Sequence, residues 1–216
     1  SSGMGTLDGM GSTWWGIPGV GYLTRGKNRP PLIEVRNATD FVFEHILLLN
    51  SPRFNFVSSG LRNAVIRDAH VSARRTSADS HTAIDLTAFN TDGFDLSGTD
   101  IHVHDCSVWN QDDTFCIKAK GEDTRNVLIE NVRASGVGLS IGSIGNQNVK
   151  NVTFRNVNMH HTDKGIYLKF RDSASKGGVI EDVLYENIFI DKPSSWPIWI
   201  GPAQQDIKGS GTGPYN

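Results

Sequence analysis

Cysteine is scarce in this chain: Cys106 and Cys116 are the only two among 216 residues. Two thiols cannot define a disulfide framework, and they leave the redox compartment open. Long apolar runs are also missing. Nothing approaches the ~20 residues that cross a bilayer, so no membrane partner is expected. Neither sign of charge is in excess: 21 Lys+Arg against 23 Asp+Glu give a formal net charge of −2. That excludes the basic footprint of a nucleic-acid partner. No hydrophobic period of 3.6 residues persists beyond two turns, which argues against helices. No leader segment is visible at Ser1-Ser2-Gly3, and the far end is the Gly-rich stretch 209–213. Processing or truncation is therefore expected, with further N-terminal structure preceding Ser1.

What the chain has is glycine, 23 residues of it, and Asn and Asp at turn-like positions. One pattern recurs six times: Asn or Asp, apolar, any, apolar, any, Asn/Asp/His, apolar. The copies begin at Asp40, Asn63, Asp100, Asn126, Asn151 and Asp182, and so start 23, 37, 26, 25 and 31 residues apart. Between them lies a second set of apolar pairs, Phe94/Leu96, Phe115/Ile117, Leu139/Ile141, Ile166/Leu168 and Ile198/Ile200. Short strands repeating at such intervals predict an all-β fold, a parallel β-helix solenoid, as a single domain over residues 1–216. Phe43, Ile66, Val103, Ile129, Phe154 and Tyr185 should stack inside. Glu44, Arg67, His104, Glu130, Arg155 and Glu186 should form a solvated outer column. By the same alternation Cys106 points inward and Cys116 outward, so no bond between them is expected. Two insertions, 74–81 and 173–178, should wall a groove over the second strand set.

That second set carries an unusual acidic concentration. Asp92 precedes the Phe94/Leu96 strand, and Asp112 and Asp113 precede the Phe115/Ile117 strand. Neighbouring strands lie about 4.8 Å apart, so three carboxylates should gather at one sheet edge, where mutual repulsion raises a pKa. A paired acid and base of this kind suits hydrolysis of a glycosidic bond, and an inverting enzyme holds the pair about 6.5–9.5 Å apart around a water. His102 and His104 share a strand face near Asp105, but no third ligand has a spacing that fixes a metal. No metal and no cofactor are expected.

Asn90-Thr91-Asp92-Gly93, Gln111-Asp112-Asp113 and Gly138-Leu139-Ser140-Ile141-Gly142-Ser143 resemble segments of the polygalacturonases, glycoside hydrolase family 28. Gly5-Thr6-Leu7-Asp8-Gly9-Met10-Gly11 with Trp14-Trp15, and Asn50-Ser51-Pro52, are similar to further segments, in the family's order. The resemblance implies a right-handed parallel β-helix that is secreted, monomeric and hydrolyses pectin with inversion. It implies Asp112 as general acid and Asp92 and Asp113 as activators of the water. Lys169, Arg171, Tyr167, Gln111 and Asn90 are then the substrate-binding candidates, and the partner is a uronate-containing polysaccharide.

Two positions depart from the family pattern. Its Gly-His-Gly stands here as Gly136-Val137-Gly138, and its Arg-Ile-Lys as Tyr167-Leu168-Lys169. The second exchange replaces a bidentate carboxylate clamp with an aromatic face, and Tyr167 should share an outward column with Trp199. Three readings stay open: a hydrolase of galacturonan or of another uronate- or rhamnose-containing bond, a catalytically altered carbohydrate-binding solenoid, and a calcium-dependent lyase on the same fold.

Overall fold

The protein is described by a computed structural model, which covers residues 3–16, 29–171 and 177–203. In chain order the strands are β1 (Gly5–Asp8), β2 (Ile33–Arg36), β3 (Thr39–Leu49), β4 (Phe56–Ser59), β5 (Leu61–Ser72), β6 (Phe94–Leu96), β7 (Gly98–His104) and β8 (Ser107–Trp109). They continue as β9 (Asp113–Ile117), β10 (Thr124–Ser135), β11 (Gly138–Ile144), β12 (Val149–His160), β13 (Ile166–Phe170), β14 (Ile180–Asp191) and β15 (Ile198–Pro202). Two all-parallel sheets result. One runs β1-β3-β5-β7-β10-β12-β14, with β8 extending the β7 coil between β5 and β10. The other runs β2-β4-β6-β9-β11-β13-β15. The chain alternates between them once per coil, which makes a right-handed parallel β-helix.

All six repeats lie side by side in the first sheet. Phe43, Ile66, Val103, Ile129, Phe154 and Tyr185 form one unbroken register, and they pack in or against the interior cluster. The reason for Asn and Asp is conformational. The first residue of each repeat has φ between 50° and 58°, and the sixth has φ between 46° and 55°. Side chains other than Asn, Asp and Gly seldom accept this left-handed region. Each repeat therefore bends twice inside what remains a continuous ladder. The amides also bond from coil to coil: Asn151 Nδ2 donates to Asn126 Oδ1 at 3.0 Å, and Asn187 Nδ2 to Asn156 Oδ1 at 3.1 Å.

The interior of the second sheet is aromatic towards its N-terminal side. Phe56, Phe94 and Phe115 stack with centroids 5.7 and 5.4 Å apart. The outer column of the first sheet is solvated as expected. There Arg67 Nε meets Glu44 Oε2 at 2.6 Å and Arg155 Nε meets Glu186 Oε2 at 2.7 Å, exposed pairs worth at most about 1 kcal/mol each.

Both cysteines are free and buried, on opposite sides of the wall. Cys106 belongs to the interior cluster, where burial pushes its thiol up to about 12. Cys116 faces away from that cluster and donates to Gly142 O. Titration of the denatured, unreduced protein with a thiol reagent should count two free thiols; a count of zero contradicts the strand assignment around Phe115.

One insertion does not do what the sequence predicts. Residues 74–81 fold over the far side of β8, where His81 stacks on Trp109 at 4.8 Å, rather than walling the groove beside the carboxylates. Of the other insertion, residues 173–176 lie outside the described residues.

The connection from β5 to β6 is held by Asp85, which is buried. Its carboxylate accepts from the Arg75 and Thr76 amides at 2.7 and 2.9 Å and from both the Thr76 and Thr82 hydroxyls at 2.7 Å. Burial alone raises the pKa of Asp85, but these donors overcome it and pull it down to about 2. The folded value lies below the ordinary ~3.9, so the stabilisation is present above pH ~4 and is lost as pH falls through about 2. Asp85→Ala should destabilise the protein by on the order of 3 kcal/mol at neutral pH. In denaturant titrations the gap to wild type should close as pH falls between those values; a gap independent of pH contradicts the assignment.

Candidate active site

The carboxylates sit where two successive coils begin their second-sheet strands. β6 and β9 are direct neighbours, pairing Phe94 with Phe115 and Leu96 with Ile117. This brings the turns that precede them together. Asn110 is buried between the turns and donates to Thr91 O and Asp113 O, both at 2.7 Å. Asn55 supports the same point from the coil before, donating to Thr91 O at 3.0 Å and Asp92 O at 3.1 Å. Glycine makes the fit possible. A Cβ on Gly93 would stand 2.3 Å from Thr114 O, and one on Gly136 would stand 2.0 Å from Asn110 Oδ1.

One carboxylate oxygen from each of Asp92, Asp112 and Asp113 lies within 4.8 Å of the other two. This corrects the expected gap of 6.5–9.5 Å. Asp112 and Asp113 are consecutive, and Asp92 comes from the immediately adjacent strand, so no coil intervenes. At that distance a single water can accept or donate to two carboxylates at once.

Two residues that the sequence reading passed over complete the cluster. Asp95 is 2% exposed. Lys118 Nζ lies 3.8 Å from Asp92, 3.4 Å from Asp95 and 3.3 Å from Asp113. Alternation on β6 and β9 was the available signal, since both side chains point away from the interior column. Lys169 reaches in from β13, its Nζ 2.5 Å from Asp113 Oδ2. Ser140 Oγ donates to the other Asp113 oxygen at 2.7 Å.

The charges therefore divide unequally. Burial works against an ionised Asp113, yet Lys169 and Lys118 hold it ionised far below the usual carboxylate range. Burial, and then the Asp112 carboxylate, push Asp92 well up; burial, and then Asp113, push Asp112 up. Asp92 and Asp112 titrate as a pair that shares a proton. Lys118 opposes the rise at Asp92, and Lys169 and Lys118 oppose it at Asp112. Asp112 Oδ1 accepts the Asp113 amide at 2.8 Å and Oδ2 accepts Asn90 Nδ2 at 3.2 Å. Asp95 is likewise pushed up by burial.

The three carboxylates have the spacing of cation ligands, but the donor set does not fit one well. Two buried ammonium groups already touch Asp113 and supply the counter-charge a divalent ion would bring. The calcium-dependent reading loses its footing here.

A groove of about 670 Å³ opens over the cluster. Asn90, Lys169 and Arg171 line it, as do Arg53, Lys118 and Lys120, so five cations surround four carboxylates. Two predicted substrate residues are not in it. Gln111 is buried; it donates to Ala73 O at 3.2 Å and takes His81 Nδ1 at 2.8 Å. Its side chain braces the turn that carries Asp112 and Asp113 from behind. Tyr167 pairs with Trp199 in register as expected but is only 4% exposed. Its ring lies between the ammonium groups of Lys164 and Lys169, 5.0 and 4.5 Å from the centroid. It orients Lys169 and offers no open face for a sugar.

Comparison with known proteins follows the same line as the geometry. The sequence matches Glycosyl hydrolases family 28 over residues 1–214. It is 33% identical over 212 residues to a protein named probable endopolygalacturonase C from Aspergillus aculeatus, covering 95% of this chain and 51% of that one. It is 29% identical over 246 residues to a Ralstonia solanacearum polygalacturonase, covering 96% and 46%. Among solved structures, endopolygalacturonase I of Stereum purpureum, complexed with two galacturonates, superposes with a TM-score of 0.69 at 27% identity, over 84% of this chain and 51% of that one. The chain thus spans about half the length of these relatives.

Proposed function

The chain belongs to glycosyl hydrolases family 28, and from that membership we propose that the protein hydrolyses glycosidic bonds of a pectic, galacturonate-containing polysaccharide. In this reading Asp112 is the general acid that protonates the leaving oxygen. Asp113, held ionised by Lys169 and Lys118, and Asp92 in its ionised form orient one water and take its proton as it attacks the opposite face of the sugar. Direct attack by water from that face, with no covalent intermediate, inverts the anomeric centre. The oxygens, within 4.8 Å of one another, stand closer than the gap usual for an inverting pair, because two carboxylates share the one water. Lys169, Arg171 and Asn90 contact the substrate, and residues 1–216 form one solenoid domain of a secreted enzyme.

The observation that carries the proposal is the groove itself: a carboxylate trio ringed by Arg53, Lys118, Lys120, Lys169 and Arg171. A polyanionic chain needs such cations to approach four carboxylates at all. They also answer the missing arginine of the family pattern, because Arg171 lines the groove two residues beyond Lys169.

The test is release of reducing ends from polygalacturonate, from decorated galacturonan and from a rhamnose-containing pectic chain. The anomeric form of fresh product is followed by proton NMR. Inverted product from at least one uronate polymer is expected. Unsaturated, ultraviolet-absorbing product overturns the hydrolytic mechanism, and binding without any bond cleavage favours the carbohydrate-binding alternative.

A further inference from the structure

Outside the carboxylate groove the first sheet carries a second depression of about 410 Å³ on its outer face. It runs across β3, β5, β8, β10 and β12. Its long axis follows one register column, Leu47, His70, Ser107 and Arg133, in steps of about 4.8 Å. Every titratable side chain lining it is basic: His70, Arg74, Arg133 and His160. Elsewhere on this sheet carboxylates pair with Arg62, Arg67 and Arg155, though not, among the described residues, with Arg125 on β10. Among the described residues no ion pair joins Arg74 or Arg133 to a carboxylate. His70 is bonded to Ser107 Oγ at 2.8 Å, and His160 lies 3.9 Å from Asp191. Trp109 forms part of the floor, and the Arg74 guanidinium rests over its ring at 5.0 Å, which holds that cation at the groove rather than free in solvent.

Two exposed guanidinium groups, imidazoles and serine hydroxyls around a shallow floor are the features that recognise carboxylates flanked by hydroxyls. We propose that this groove is a second binding site, for an acidic oligosaccharide, with uronate carboxylates on Arg74 and Arg133. Its ligand class follows from the function proposed above. The two grooves share no lining residue, but the chain joins them closely, since Trp109 is followed directly by Asn110-Gln111-Asp112. A polymer held here would be kept beside the hydrolytic groove at a raised local concentration.

Calorimetric titration of the Asp112→Asn protein with a short galacturonate oligomer tests this without turnover. Two sites per chain are expected, falling to one when Arg74→Gln and Arg133→Gln are added. In the otherwise wild-type background the same pair should leave hydrolysis of the short oligomer unchanged. It should raise KM for long polymer on the order of tenfold, the loss of about one charge-assisted contact, with kcat constant. A stoichiometry that the arginine changes do not alter overturns the proposal. So does equal competition by polyglutamate, which would make the groove a mere charge sink. If wild-type protein cleaves no pectic polymer but the arginine-dependent site persists, the hydrolytic reading fails and this one stands.

Discussion

Asp112→Asn should lower hydrolysis of the pectic substrate on the order of 10²–10⁴-fold, the usual cost of losing a general acid. The fold should survive. Asp112 caps no strand interior, and among the described residues its oxygens accept only the Asp113 amide and the Asn90 side chain. An amide keeps the first of these bonds, and the Asn90 side chain can turn to keep the second. As the proton-bearing acid Asp112 is uncharged, so the neutral amide leaves the charge balance of a trio within 4.8 Å nearly as it was, and the melting temperature should hold. The loss should fall on kcat, because the proton is needed only as the bond breaks. Turnover of the variant at the wild-type rate on the correct polymer would show that Asp112 is not the proton donor.

Lys118→Met should have the second largest effect, on stability and catalysis together. The ammonium is mostly buried and serves Asp92, Asp95 and Asp113 at once. Breaking a buried pair from one side costs about 3–5 kcal/mol because the partner charge is stranded. Burial opposes the Lys118 charge, but the surrounding carboxylates raise its pKa well above the ordinary value. Its contribution is then complete below about pH 10.4 and is lost only as pH rises through the folded value. The Asp113 contribution has the opposite sense: its folded pKa is depressed, so it is present above about pH 3.9 and is lost as pH falls through the folded value. The variant should therefore be weakest near neutrality, and its deficit should shrink in acid as the carboxylates take up protons. In catalysis Asp92 keeps its proton to higher pH without Lys118, so the acidic limb of the pH–rate profile should move up. Lys118→Arg retains the charge and should restore much of the limb. An unmoved limb in Lys118→Met would remove Lys118 from the proton balance.

Most of the fold is legible in the sequence because its rule is local. Positive φ favours Asn, Asp and Gly, and this one preference, followed at both bends of every repeat but for His45 at the second bend of the first, writes the coil length into the chain. The carboxylate trio is legible for a related reason, since its members stand at the same place in consecutive coils. What stays hidden depends on cover. Alternation tells that Asp95, Lys118, Gln111 and Tyr167 all point outward, but not what lies over them. Gln111 is roofed by the 74–81 insertion and Tyr167 by Lys164, whose position follows from loop paths that no period records. Lys118 and Asp95 meet because each lies beside the other's strand, a contact visible only once the coils are aligned.

The paired left-handed bends also bear on misfolding. A parallel ladder of similar strands is open to slippage, since one coil shifted along its neighbour can still form backbone bonds. Here a slip of one residue would force Ile101, Val127, Val152 and Val183 into the left-handed conformation now held by Asp100, Asn126, Asn151 and Asp182. At about 1–2 kcal/mol per misplaced residue, repeated at the second bend by Val132, Val157 and Ile188, each slipped coil is penalised twice. The penalty does not depend on the connecting loop. Coils of this solenoid can therefore accept connections as unequal as those following Ser72 and Asp191, or others introduced by design, without losing count of where the next strand begins.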